Sequence, residues 1–301
     1  MTARQLILKG GIAVLLTTAA VVCAVTPASA HTPYIVPTTF APERDVVAVQ
    51  GGMSEENAFI PDFGLRGDGD WSVTGPDGVT TPAKPANFKA ITILEASVPT
   101  AGTYRISTGE RPGRGGKAAK VDGVWRSVRP APPAGAPAAP AGPARMERGE
   151  GEGARGPGPI NAADVPAGAE TIDTQGFQIA ETYVSKGAPS AAALKPRGKG
   201  FEIEPITHPN EIFLDDGFTF RALVDGKPVA GLQVAVHRGG ELYDAGRTMI
   251  EATTGADGKA TIKFAKAGAY MLETRYPGQS APGAAPAARS WTYTLSFEVT
   301  Q

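Results

Sequence analysis

The chain has 301 residues, 42% of them hydrophobic, enough for one large domain or two ordinary ones with cores of their own. Gly and Pro, at 38 and 27 residues, make up about a fifth of it, nearly twice the usual share, which argues against a helical bundle and for many turns. With 29 basic against 30 acidic residues there is no field of one sign to draw in nucleic acid, and no nucleic-acid partner is expected.

Residues 1–30 read as an export signal. Arg4 and Lys9 give a positive start, an apolar run extends from Gly10 to Val25, and Ala28-Ser29-Ala30 offers signal peptidase its small residues, with the cut after Ala30. The run is short against the roughly 20 residues a membrane span needs, and no later stretch equals it. The processed chain is therefore expected in the periplasm or secreted, with no transmembrane segment. The one cysteine, Cys23, falls inside the signal, and Val22 before it does not suit lipidation. From His31 onward no thiol remains, so disulfides, thiol catalysis and Cys-ligated zinc are excluded.

Past the signal, short apolar alternations are broken by turn chemistry. Trp71 to Thr74 precedes Gly75-Pro76-Asp77-Gly78, and Ile91 to Val98 and Thr103 to Ser107 follow, all read as strands. Residues 130–159 are almost entirely Pro, Ala and Gly with some Arg and Glu and one Met, so nothing offsets the entropy of ordering them. A disordered insertion at about 130–168 is expected, and Phe177 to Val184 resumes strand patterning after it, so the segment interrupts a domain. Gly278 to Ala288 has a similar composition and is expected to be a mobile loop tip. The basic stretch from Arg111 to Arg129, with Trp125, is read as the flank of the disordered segment.

From Phe201 on the pattern is cleaner. Phe218 to Val224 alternates up to the turn Asp225-Gly226-Lys227-Pro228, and Val229 to His237 follows at hairpin distance. In the last strand Trp291, Tyr293, Leu295, Phe297 and Val299 share one face, while Thr292, Thr294, Ser296, Glu298 and Thr300 share the other, as in a sheet buried on one side. An all-β fold of two β-sandwich domains is expected, one over 31–200 with the insertion and one over 201–301.

Catalytic signatures fail one by one. Gly278-Gln279-Ser280-Ala281-Pro282 has Pro where a nucleophile elbow needs Gly. Asp68-Gly69-Asp70-Trp71-Ser72-Val73 puts Val where a calcium loop turns on Gly, and Gly116-Lys117-Ala118 lacks the hydroxyl of a phosphate loop. The carboxylate pairs Glu55-Glu56, Asp215-Asp216 and Glu202 with Glu204 are each as well explained by exposure. No enzyme is expected.

Histidine is the distinctive residue, because only His31, His208 and His237 exist and the first becomes the amino terminus after cleavage. A terminal His offers amine and imidazole together, a pair suited to copper, nickel or cobalt. Pro33 has no amide proton, so a chelate through successive deprotonated amides is closed and further ligands must come from the fold. His208 and His237 are the remaining imidazoles, although His237 alternates with core residues of its strand and His208 sits in a loop. The metal set is thus read as His31, His208 and His237.

The stretch Ala30-His31-Thr32-Pro33-Tyr34-Ile35-Val36-Pro37 with Phe40-Ala41-Pro42 resembles the exported domain-of-unknown-function 4198 (DUF4198) family. So do Gly200 to Pro209, Asp225 to Gly231, Thr254 to Gly258 and Gly268-Ala269-Tyr270. The resemblance implies an immunoglobulin- or transthyretin-like second half and a role for His31 in a periplasmic component of nickel or cobalt uptake, with a metal ion and a membrane uptake system as partners. His208 departs from the family's pattern there. The alternative expectation is a non-enzymatic envelope module that binds a protein or a glycan.

Overall fold

The computed structural model describes residues 31–55, 57–65, 69–130, 158–240, 249–278 and 280–301. The expected signal and most of the expected insertion lie outside them. Among the described residues the fold is all-β, with 3-10 turns at Ala162–Asp164 and Ala192–Leu194 as its only helical pieces. In chain order the first half holds β1 (Thr32–Pro37), β2 (Val46–Ser54), β3 (Ser72–Thr74), β4 (Thr80–Pro82), β5 (Ala86–Asn87), β6 (Thr92–Ser97), β7 (Gly102–Ser107), β8 (Arg111–Val121), β9 (Val124–Arg129), β10 (Ile160–Asn161) and β11 (Thr171–Lys186). The second half holds β12 (Phe201–Pro205), β13 (Ile212–Phe213), β14 (Phe218–Val224), β15 (Lys227–Pro228), β16 (Gln233–Arg238), β17 (Met249–Thr253), β18 (Lys259–Ile262), β19 (Gly268–Tyr276) and β20 (Arg289–Thr300).

These strands form three sheets. A small N-terminal sheet runs β1-β2-β6-β5, and a small C-terminal sheet joins β12, β14, β15 and β18. Between them lies a large central sheet, β10-β9-β8-β11-β20-β19-β16-β17, with β3, β4, β7 and β13 attached. β11 is its pivot. One edge pairs antiparallel with β8 and then with β7, while the other runs parallel to β20 from Gln175↔Arg289 to Thr182↔Ser296. The position expected to divide two domains, residue 200, therefore has no break in the sheet across it.

Strand periodicity explains how one strand serves two cores, since successive side chains point to opposite faces. Ile179 and Tyr183 enter the core under the C-terminal sheet with Phe201, Phe218, Phe220, Leu272, Tyr293 and Phe297. Ala180 and Val184 enter the core under the N-terminal sheet with Ile35, Val49, Leu65, Trp71, Leu94 and Ile106. Each fully buried large side chain of this kind contributes about 1.5–3 kcal/mol.

Five local expectations are corrected. The polar face of β20 is not solvated: Thr294 and Ser296 are buried under β1, their hydroxyls donating to the carbonyls of Pro33 (2.8 Å) and Ile35. β1 is an edge strand, and these hydroxyls cap the carbonyls that no neighbouring strand pairs. The basic stretch is an ordered hairpin of β8 and β9, closed by Asp122 and Gly123 with φ of 53° and 79°, the positive values a two-residue hairpin turn requires. The described part of the 278–288 loop is bonded to its surroundings, the Trp125 amide donating to the Gly283 carbonyl at 3.0 Å and the Gln175 amide to that of Ala288 at 2.9 Å. Finally, β14 turns at Asp225-Gly226 into the short β15, and the chain then crosses at Gly231 (φ 68°), so that β16 begins at Gln233 and joins β19 in the central sheet. Residues 158–168, at the end of the expected insertion, carry β10, which runs parallel to β9, and a 3-10 turn.

Candidate metal site at the start of the first strand

β1 is buried from Thr32 to Ile35, so the residue before it is set by the fold. Its pairing with β2 begins at Thr32↔Ser54, and continuing that register by one position brings Glu55 opposite His31. The chain then loops out and returns. Asp62 donates its amide to the Met53 carbonyl, and the Met53 amide donates to the Phe63 carbonyl. The Asp62 carboxylate accepts the Glu55 amide at 2.9 Å. As a result His31 Nε2 stands 3.7 Å from Glu55 Oε2 and 3.7 Å from Asp62 Oδ2, and its ring lies 4.8 Å from that of Phe63.

Tyr34 anchors this loop from below. Its hydroxyl donates to the Phe59 carbonyl at 3.1 Å and accepts from Gln50 Nε2 at 2.8 Å, and its ring meets that of Phe59 edge-on. Burial pushes the Tyr34 hydroxyl up to about 12, with the Gln50 bond opposing and the Asp62 charge assisting, so it stays protonated and keeps donating. Phe59 has a φ of 66°, a strained value for an aromatic residue, held by the bonds its carbonyl accepts from Tyr34 and Gln50.

The donor chemistry suits a borderline divalent metal, with one imidazole and two carboxylates available. Donors of one ion lie about 3 Å apart when its bonds are near 2.1 Å. Each of the two 3.7 Å gaps from Nε2 to an acid oxygen would thus have to close by somewhat under about 1 Å, and both acids are about half exposed. As they stand, no group of three or more His, Cys, Asp or Glu side chains among the described residues could hold a metal ion, this one included.

The three histidines do not come together. His208 is committed elsewhere: its Nδ1 accepts the Asn210 amide at 3.1 Å, which leaves the proton on Nε2, 2.9 Å from Thr103 Oγ1 and 3.3 Å from the Ser190 carbonyl. The network runs on through Thr103 and Ser185 (2.8 Å) to Asn210 Oδ1 (2.8 Å). Burial lowers the His208 pKa despite the Ser190 carbonyl and Glu211, so the neutral ring is favoured. A cleft of about 340 Å³ opens beside this network, with Ser185 and Asn210 among its lining. His237 is half-buried on β16, facing away from the core side chains Val234 and Val236 as its alternation suggests.

Sequence reading missed Glu55 and Asp62 as companions of His31. Glu55 could have been found from the β1–β2 register, whereas nothing local marks Asp62. The carboxylate pair Glu202 and Glu204 is not a half-solvated face either. Glu202 is buried and accepts the amides of Arg197 and Gly198 at 2.7 and 2.8 Å, and Glu204 pairs with Arg221 at 3.1 Å. A further buried acid, Glu181, accepts the Tyr293 hydroxyl at 2.6 Å and faces Arg197 Nη1 at 2.9 Å. Burial pushes its carboxyl up, but Arg197, Arg105 and the hydroxyl bonds prevail and hold it below its usual range.

A family model described as a domain of unknown function, DUF4198, matches residues 28–278. The chain belongs to the DUF4198 family. No curated protein matches it. Among solved structures, this DUF4198 chain is similar to the D0-D1 domain of intimin at 9% identity and a TM-score of 0.19, over 87% of this chain and 96% of that one. It is also similar to Escherichia coli alpha-2-macroglobulin activated by porcine elastase, at 12% identity and a TM-score of 0.18, over 90% of this chain and 31% of that one. At these scores neither likeness adds to the fold or the site described above. No helix among the described residues is long and apolar enough to cross a membrane.

Proposed function

We propose that the protein is an exported, non-enzymatic metal carrier that holds nickel, cobalt or copper at His31 and passes it to a membrane uptake system. The observation that carries this reading is the convergence of Glu55 and Asp62 on His31 Nε2 at 3.7 Å each, at the head of a buried strand. A terminal chelate on a flexible tail would lose ordering entropy with every ion it bound, and anchoring by β1 removes most of that cost. Partial exposure of all three side chains suits a cargo that must be released. In this account His31 supplies the imidazole and, after cleavage, the amine, while Glu55 and Asp62 supply oxygen donors and neutralise the ion. His208 has no free lone pair to add.

The test is calorimetric titration of nickel and copper into residues 31–301 and into the double variant Glu55→Gln/Asp62→Asn. The account expects at least a tenfold loss of affinity in the variant with the urea midpoint preserved, since both acids are half exposed. Equal affinities would remove the acids from the site.

A further inference from the structure

We infer that the protein carries a second metal site, for a soft monovalent ion of the copper(I) class, formed by His237 with Met249 and Met271. Strand register places the three residues in one row. On the central sheet His237 of β16 is directly opposite Met249 of β17 on one side and Met271 of β19 on the other. Directly opposed residues of antiparallel strands share a face, with Cβ atoms about 5 Å apart. One imidazole is thus flanked by two thioethers on the face away from the C-terminal core.

Three observations make this row more than a packing coincidence. Only five methionines occur in the chain, and two of them flank one of its three histidines. The His237 ring makes no hydrogen bond, ion pair or ring contact with any described residue, whereas His31 and His208 both do. The row also runs from buried to open: Met271 is 4% exposed, His237 half-buried and Met249 47% exposed. This gives a fixed inner ligand, a central one and a mobile outer one by which an ion can enter.

Ligand softness decides which ion. Thioethers bind copper(I) and silver(I) well and hard or borderline divalent ions poorly, so the row discriminates against the nickel and cobalt that the nitrogen and oxygen donors at His31 favour. Methionine's three free torsions let both sulfurs turn towards one point above the imidazole. The row shares no residue with the His31 site, so the two can be tested separately.

The experiment uses residues 31–301, which contain every described strand, with methionine methyl groups labelled for NMR and silver(I) as probe. The same protein is titrated with copper(I) against a chromogenic chelator under reducing conditions. The Met249 and Met271 methyl signals are expected to shift with one equivalent of silver while Met53 stays in place. Copper(I) affinity is expected to fall at least tenfold in Met249→Leu, an exposed position where Leu is harmless to the fold, and to be unchanged in His31→Ala. Unchanged affinity in Met249→Leu, shifts that spare Met249 and Met271, or loss of binding in His31→Ala would each overturn the assignment.

Discussion

Gly52 fixes the position of Asp62 from beneath the loop. A Cβ there would lie 2.6 Å from that of Pro61 and 3.2 Å from the Tyr34 ring and hydroxyl, so the loop can lie this close only over glycine. Gly52→Ala is expected to cost about 1–3 kcal/mol, in line with overpacking of a tight contact, and to weaken metal binding at His31 by displacing Asp62. Urea unfolding and calorimetry on the same sample would show both losses, and an undisturbed affinity would mean that Asp62 is not a ligand. His208 carries a pH signature. Its folded pKa lies below the usual 6.5, so as pH falls the unfolded chain takes up a proton that the folded ring resists. The stability it contributes is complete above about pH 6.5 and is lost as pH falls through the folded value. His208→Gln should flatten the slope of unfolding free energy against pH below that point, and an unaltered slope would contradict this assignment.

β1 is held by bonds that a sequence pattern does not reveal. Removing the Ser296 hydroxyl would leave the buried carbonyl of Ile35 without that donor, and Ser296→Ala is expected to cost about 1–3 kcal/mol. Because β1 presents His31, the same change should also lower metal affinity, whereas an exposed control such as Thr300→Ala should do neither. These two strands show what was legible. The apolar side of β20 could be read from Trp291 to Val299, since only a buried sheet face alternates so regularly. The polar side could not, because Thr and Ser that cap a neighbouring strand are spelled like Thr and Ser that face water. His31 was likewise legible as a chemically special residue, but its partners depend on a register and a returning loop that span 31 to 63. The Arg111 to Arg129 hairpin was misread because its composition matches a flexible flank, although Asp122-Gly123 is a recognised hairpin turn.

β11 ties the two cores into one unit, and the strand order could not be foreseen because a parallel pairing with β20 joins segments over a hundred residues apart. Unfolding is therefore expected to be a single transition. Trp71 reports the core under the N-terminal sheet and Trp291 the core under the C-terminal sheet, so fluorescence of single-tryptophan variants should give coincident urea midpoints. Two separated midpoints would mean that the cores fold independently. The Glu181 network crosses this same junction, and Arg197→Met, which removes the guanidinium facing a buried carboxylate, is expected to cost about 3 kcal/mol and to shift both midpoints together. What the whole molecule carries turns on its amino terminus. The most direct measurement is calorimetric titration of nickel and copper into the chain beginning at His31, beside one with a single extra Ala in front, with the copper run as copper(II) to leave the methionine site out. Tight binding that the added Ala abolishes is the predicted result. Equal, weak binding in both would contradict metal carriage at His31 and leave the alternative of an envelope interaction module.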